Sequence, residues 1–132
     1  MINSITLLEI TDMLADKLNF DDVYAGNIDA SKEKSIGVYY RDGQTFRKCV
    51  GGTESSYQTV SIRILIHWTN NPTEAEKQSY TIARLIENLS ESETAEHIIK
   101  FADIKAIRSI GKDEKGICEF IVDADIIYTE RT

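Results

Sequence analysis

The sequence predicts an α+β fold: a mainly antiparallel sheet with two helices on one face, in the order α-β-β-β-β-α-β-β. Three observations predict it. Residues 57–68 alternate apolar and mixed side chains along one long strand. Two other segments carry apolar residues at helical spacing. Turn signals at Asp42-Gly43 and Gly111 to Gly116 also join successive strands as hairpins, which makes the sheet mainly antiparallel.

The first helix covers 4–18, where Leu7, Ile10, Leu14 and Leu18 share one face and Asn3 or Ser4 supplies the N-cap. Asn19-Phe20-Asp21-Asp22 breaks it. Val23 to Ile28, interrupted by Gly26, reads as a short strand, and 29–34 as a loop. Ile36, Val38 and Tyr40 alternate in a second strand that enters Arg41-Asp42-Gly43-Gln44. Asp-Gly between β-like runs predicts a hairpin, with Phe46–Val50 as the return strand ending at Gly51-Gly52.

In the long strand, Val60, Ile62, Ile64, Ile66 and Trp68 point one way. Tyr57, Thr59, Ser61, Arg63, Leu65 and His67 point the other. Asn71-Pro72-Thr73-Glu74 then combines an Asn cap, Pro at the first helical position and Glu at the third, which starts a helix from 72 to about 89. Its stripe is Ile82, Leu85, Ile86 and Leu89; Glu91 and Glu93 would oppose the helix dipole and do not prolong it. Residues 94–102 fit either a short helix or an extended segment.

The last third reads as a hairpin. Ile104, Ala106, Arg108 and Ile110 alternate with Lys105, Ile107 and Ser109, and Gly111 to Gly116 form the turn. The return strand 117–129 puts Cys118, Phe120, Val122, Ala124, Ile126 and Tyr128 on one face and Glu119, Ile121, Asp123, Asp125 and Ile127 on the other. Strands of this length span about 40 Å at ~3.3 Å per residue. A compact globule of this size is about 36 Å across. The long hairpin therefore bends or projects, and projecting edges call for partners or protection.

The chain has 132 residues, enough for one domain spanning 1–132 with its own core. Its 42% hydrophobic and 28% charged residues are ordinary for a globular protein. The net charge of −7, with no basic block, disfavours a sustained grip on DNA. Cys49 and Cys118 form no C-x-x-C pair, the first residues do not read as a signal peptide, and no apolar run is long enough for a membrane span. These features place the chain in a reducing cytoplasm, away from membranes.

No catalytic or cofactor motif emerges. His67 and His97 lie in different elements without zinc-ligand spacing, and His67 reads as a surface or interface residue. Glu119, Asp123 and Asp125 share a strand face; a solvated face is the plainer reading than acid–base or metal chemistry. Gly111 and Gly116 have P-loop spacing but lack the Lys and the following helix. Tyr39, Tyr40, Phe46, Tyr57 and Trp68 read as core or interface aromatics before a ligand platform. Neither cysteine has an activating signature, so no cofactor, metal or catalytic residue is expected.

The run Val60-Ser61-Ile62-Arg63-Ile64-Leu65-Ile66-His67-Trp68-Thr69-Asn70-Asn71, entering a Glu-rich helix, resembles the minor capsid, or tail terminator, proteins of long-tailed bacteriophages. So does Ser109-Ile110-Gly111-Lys112-Asp113-Glu114-Lys115-Gly116, with the long strand ending in Ile126-Ile127-Tyr128-Thr129-Glu130-Arg131. The Ile36-Gly37-Val38-Tyr39-Tyr40 strand falls in the same order, so the likeness runs from about residue 5 to 131.

The resemblance implies a non-enzymatic subunit of a virion, assembled in the host bacterial cytoplasm. It implies a homo-oligomeric ring, commonly a hexamer, that caps the tail tube and offers a surface to the head connector. DNA would pass through such a ring without specific binding. Arg41, Asp42, Gly43, Phe46, Arg47, Arg63 and His67 are the residues expected at the assembly interface. Two other readings stay open: a neighbouring head–tail connector of the same virion, and, from a different class, a small-molecule-binding module or enzyme using the Arg63/His67 or Glu119/Asp123/Asp125 face.

Overall fold

The computed structural model describes residues 3–41, 47–48 and 57–131. The elements are α1 (Leu7–Leu18), β1 (Val23–Ala25), β2 (Lys34–Tyr40), β3 (Arg47–Lys48), β4 (Gln58–Trp68), α2 (Pro72–Glu87), β5 (His97–Lys112) and β6 (Cys118–Glu130), in the predicted order. The sheet runs β1-β2-β4-β6-β5 in space, with β3 also on β4. Among the described strands, only β1 and β2 pair in parallel. Both helices pack on the same side: Ile10, Met13 and Leu14 of α1 and Ile82, Ala83 and Ile86 of α2 join one buried cluster with Ile36, Val38, Val60, Ile62, Ile64 and Ile66.

The two helix starts differ in how far local sequence decides them. At α2 the Asn71 side chain accepts from Thr73 N at 3.0 Å and Glu74 N at 3.3 Å, as the cap motif predicts. At α1 the cap is Thr6, whose Oγ1 accepts from Glu9 N at 3.2 Å; neither Asn3 nor Ser4 takes that role. The reason is tertiary. Ile5 N donates to the Tyr128 hydroxyl at 3.2 Å and Asn3 O meets His97 Nε2 at 2.6 Å, so the chain before Thr6 is spent on the sheet.

The strand 23–28 stops at Ala25, where Gly26 takes φ +93. The expected hairpin at Asp42-Gly43 is corrected. Strand β2 pairs with β4 from Lys34↔Trp68 to Tyr40↔Ile62, and β3 continues along the same edge with Arg47↔Thr59 and Lys48↔Gln58. Strand β3 therefore runs in the same direction as β2 and is not its return strand. The free edge of β4 is longer than β2 alone fills, and both segments pair along it. Asp42, Gly43, Gln44 and Phe46, like Cys49 and Gly51-Gly52, lie outside the described residues.

Residues 97–102 are extended, as the start of β5. The expected alternation of β5 is also corrected: its register against β6 slips between Ile99 and Phe101, Ile104 and Ala106, and Ser109 and Gly111. Sixteen residues of β5 thus oppose thirteen of β6. The side chains opposite the buried Tyr128, Ile126, Ala124 and Val122 are Ile99, Ala102, Ile104 and Ile107. Each slip shifts the pattern by one residue, which hides it from a period of two. Strand β6 keeps its predicted faces, with Cys118, Val122, Ala124, Ile126 and Tyr128 buried. Residues Arg108–Lys112 of β5 are all exposed, so at that end β5 leaves the core while β6 stays covered by β4.

Candidate functional site

The helices cover one face of the sheet and leave the other open. Strand parity puts Tyr39 of β2, Arg41 just after it, Ser61, Arg63 and Leu65 of β4, and Ile121, Asp123 and Asp125 of β6 on that open face. Cross-strand pairing then sets Arg63 opposite Asp123 and Ser61 opposite Asp125. The charges meet. Arg63 Nε donates to Asp123 Oδ1 at 2.7 Å and Nη2 to Oδ2 at 3.0 Å, a two-point fork. Arg41 Nη2 and Ser61 Oγ both donate to Asp125 Oδ1 at 2.7 Å. At the outer edge Lys105 Nζ lies 2.6 Å from Asp103 Oδ2.

The Arg63 hydrogen bonds hold the Asp123 carboxyl below its usual range, against a burial that pushes it up. Asp123, raised from sequence as an acid–base or metal candidate, is thus a charged acceptor for Arg63. Asp125 serves Arg41 and Ser61, and Glu119 sits opposite His67. Among the described residues no three His, Cys, Asp or Glu converge as metal ligands.

His67 requires a correction. The ring is fully buried, with Nε2 2.7 Å from Asp113 Oδ2. Asp113 Oδ1 accepts in turn from Lys115 N and Ile117 N, both at 2.9 Å. The β5–β6 turn therefore closes over the end of β4, and the His67 bond lowers the Asp113 carboxyl pKa. His67 anchors that turn and is no surface residue.

Gly37 is shaped by a second overlay. Because β1 and β2 are parallel, the chain must return between them, and it crosses the open face. A Cβ on Gly37 would stand 2.7 Å from Gly26 O and 2.8 Å from Ile28 Cγ2. No side chain fits there.

Of the expected interface residues, Arg41 and Arg63 share the open face near its middle and His67 lies under the turn at one end. Asp42, Gly43 and Phe46 are outside the described residues, and Arg47 is placed only through its backbone pairing to Thr59. The aromatic set is scattered. Trp68 packs against Phe20 at a 60° tilt with centroids 5.4 Å apart, Tyr40 packs on the core and Tyr57 is exposed. Sequence reasoning missed Asp113 as the partner of His67. It noticed Asp123 and Asp125 without their cations, since only the tertiary register of β6 against β4, and of the residue after β2 against β4, brings Arg63 and Arg41 to them.

A groove of about 380 Å3, lined by Lys17, Thr81, Arg84, Leu85, Asn88 and Leu89, lies on the helix side, apart from these ion pairs. No described helix is long and apolar enough to cross a membrane.

The bacteriophage tail terminator protein family matches residues 1–130. The chain belongs to that family. It is a phage structural protein by that membership. No curated protein matches it significantly. Among solved structures, a chain from the virion of a native gene transfer agent particle superposes with a TM-score of 0.63. The alignment covers 95% of this chain and 94% of the other at 8% identity, a likeness of fold.

Proposed function

We propose that this tail terminator family member works as one domain without catalysis. It forms a homo-oligomeric ring, hexameric by the family resemblance, that caps the tail tube and joins tail to head. The observation that carries this reading is the open sheet face. Its ionisable groups neutralise one another across strands, where a catalytic cleft would hold them unpaired and convergent. A surface of satisfied ion pairs beside half-buried apolar side chains suits protein contact.

The expected interface keeps Arg41 and Arg63 on that face, with Asp42, Gly43, Phe46 and Arg47 beside it in sequence. His67 contributes from beneath, by fixing the turn. Partners are other copies of the chain, the tail tube protein and the head connector protein. The place of work is the virion, after assembly in the host bacterial cytoplasm.

DNA passes through the ring without specific binding. The −7 charge, with Asp12, Asp16, Glu74, Glu76 and Glu87 on the helices, repels phosphates and lets DNA slide. A ring whose lumen is neutral or basic removes that explanation. Electron microscopy of virions made without this chain tests the main reading: tails of uncontrolled length, or tails not joined to heads, are expected. Normal tails on normal heads would refute it.

A further inference from the structure

The two ends of the β5–β6 hairpin differ in shape and charge. At the open end Ile98, Phe101 and Ile127 share the open face, because Ile98 pairs with Thr129 and Phe101 with Ile127. Tyr57 lies beside them, as Gln58 pairs with Tyr128. Phe101 is 52% exposed, which is high for an aromatic side chain on a sheet. The rim of this patch carries Glu93, Glu96 and Glu130 against one cation, Arg131, which lies 3.6 Å from Glu93; Glu96 is exposed.

The turn end is the reverse. Ile110, the extra residue of the last register slip, is 50% exposed and stands out as a single apolar side chain. Arg108 and Lys112 flank it, and Lys115 follows in the turn, all exposed. Asp113 is turned away to His67, and Glu114 is the one exposed carboxylate in the turn among these three cations.

These ends are about 30 Å apart, at ~3.3 Å for each residue from 101 to 110. One molecule cannot bring them together. We infer that the turn end of one copy docks on the open end of a second: Ile110 enters the Phe101/Ile127/Ile98 patch, and Arg108 and Lys112 face the rim at Glu96. The occupant is another copy of this chain, chosen because knob and patch are opposite in charge and matched in apolar character. Two different surfaces meeting make a head-to-tail contact, which repeats until it closes. The three register slips support this geometry, since they twist the outer edge of β5 away from simple edge-to-edge pairing. The inference rests on the ring reading and names its contact.

The test uses the full chain carrying Ile110→Asp or Phe101→Asp, both exposed positions where folding is expected to persist. Circular dichroism and thermal melting confirm folding. Sedimentation measures self-association, and tail length by electron microscopy measures capping in cells producing each variant. Each variant alone is expected to lose at least tenfold in self-association and to cap tails poorly. Mixed one to one, the two variants have one intact knob and one intact patch, so they are expected to stop at a heterodimer. Arg108→Glu is expected to weaken assembly and Glu96→Lys to restore part of it in the double variant.

Folded variants that assemble and cap like the wild type overturn the contact and leave the ring reading standing. A mixture that forms no heterodimer while the wild type self-associates also overturns it. If the wild type self-associates only on tails, capping decides. A wild type that neither self-associates nor caps tails overturns the ring reading itself.

Discussion

The two faces of the sheet are built from the same strands and are held by different physics. On the helix side, Val60, Ile62, Ile64 and Ile66 are wholly buried. Burial of such a side chain contributes roughly 1.5–3 kcal/mol each. On the open side, Ser61, Arg63 and Leu65 are half-buried, and the order comes from cross-strand ion pairs and from the returning chain over Gly37. The covered face fixes that the chain folds. The open face buries Ile121 but leaves Leu65 and the charged side chains partly exposed, so it is available to be specific. Neighbouring positions of one strand can thus serve stability and recognition separately.

The sharpest way to break this comparison is a matched pair of truncations on β4. Ile64→Ala is expected to lose about 3 kcal/mol in urea unfolding, through lost transfer energy and a residual cavity. Leu65→Ala, its neighbour on the open side, should lose about 1 kcal/mol. Equal losses would mean that both faces are core.

Next in size is Gly37→Ala, expected to cost about 2 kcal/mol by overpacking against the Gly26 carbonyl and Ile28. A neutral result would show that the return crossing does not press on the sheet. Asp123→Asn should cost about 1–2 kcal/mol by removing the charged fork to Arg63. That cost should shrink in high salt, because Arg63 remains 35% exposed.

The smallest effect is spread over pH. Burial pushes the Glu9 carboxyl up, but bonds from Thr94, His97 and the Glu96 amide outweigh it and hold it below the usual 4.5. A lowered folded value means that this stabilisation is complete above about 4.5 and is lost as pH falls through the folded value. Urea midpoints from pH 7 to 3 should show a shallower acid decline in Glu9→Gln than in the wild type. Asp123 has the same sign on the other face, so Asp123→Asn should flatten the same window; parallel curves for variants and wild type would contradict both.

Much of this was legible in the sequence. The order of elements, the α2 cap and both faces of β4 and β6 follow from local chemistry and a period of two or 3.6. The resemblance to tail terminators rested on the same segments. The site was legible only in part. Arg63 and His67 stood out by type, yet one is forked to Asp123 and the other buried under Asp113, partners sixty and forty-six residues away.

By itself the sequence determined the order of helices and strands and the apolar faces of β4 and β6, because capping, turn chemistry and side-chain alternation act within a few residues. Only the tertiary structure decided that β3 extends the edge that β2 begins, that β5 slips three times against β6, and that the first helix waits until Thr6. Each of these outcomes is a competition between one segment's local preference and a longer partner elsewhere in the chain. Such competitions are settled by register and packing, which no local pattern records.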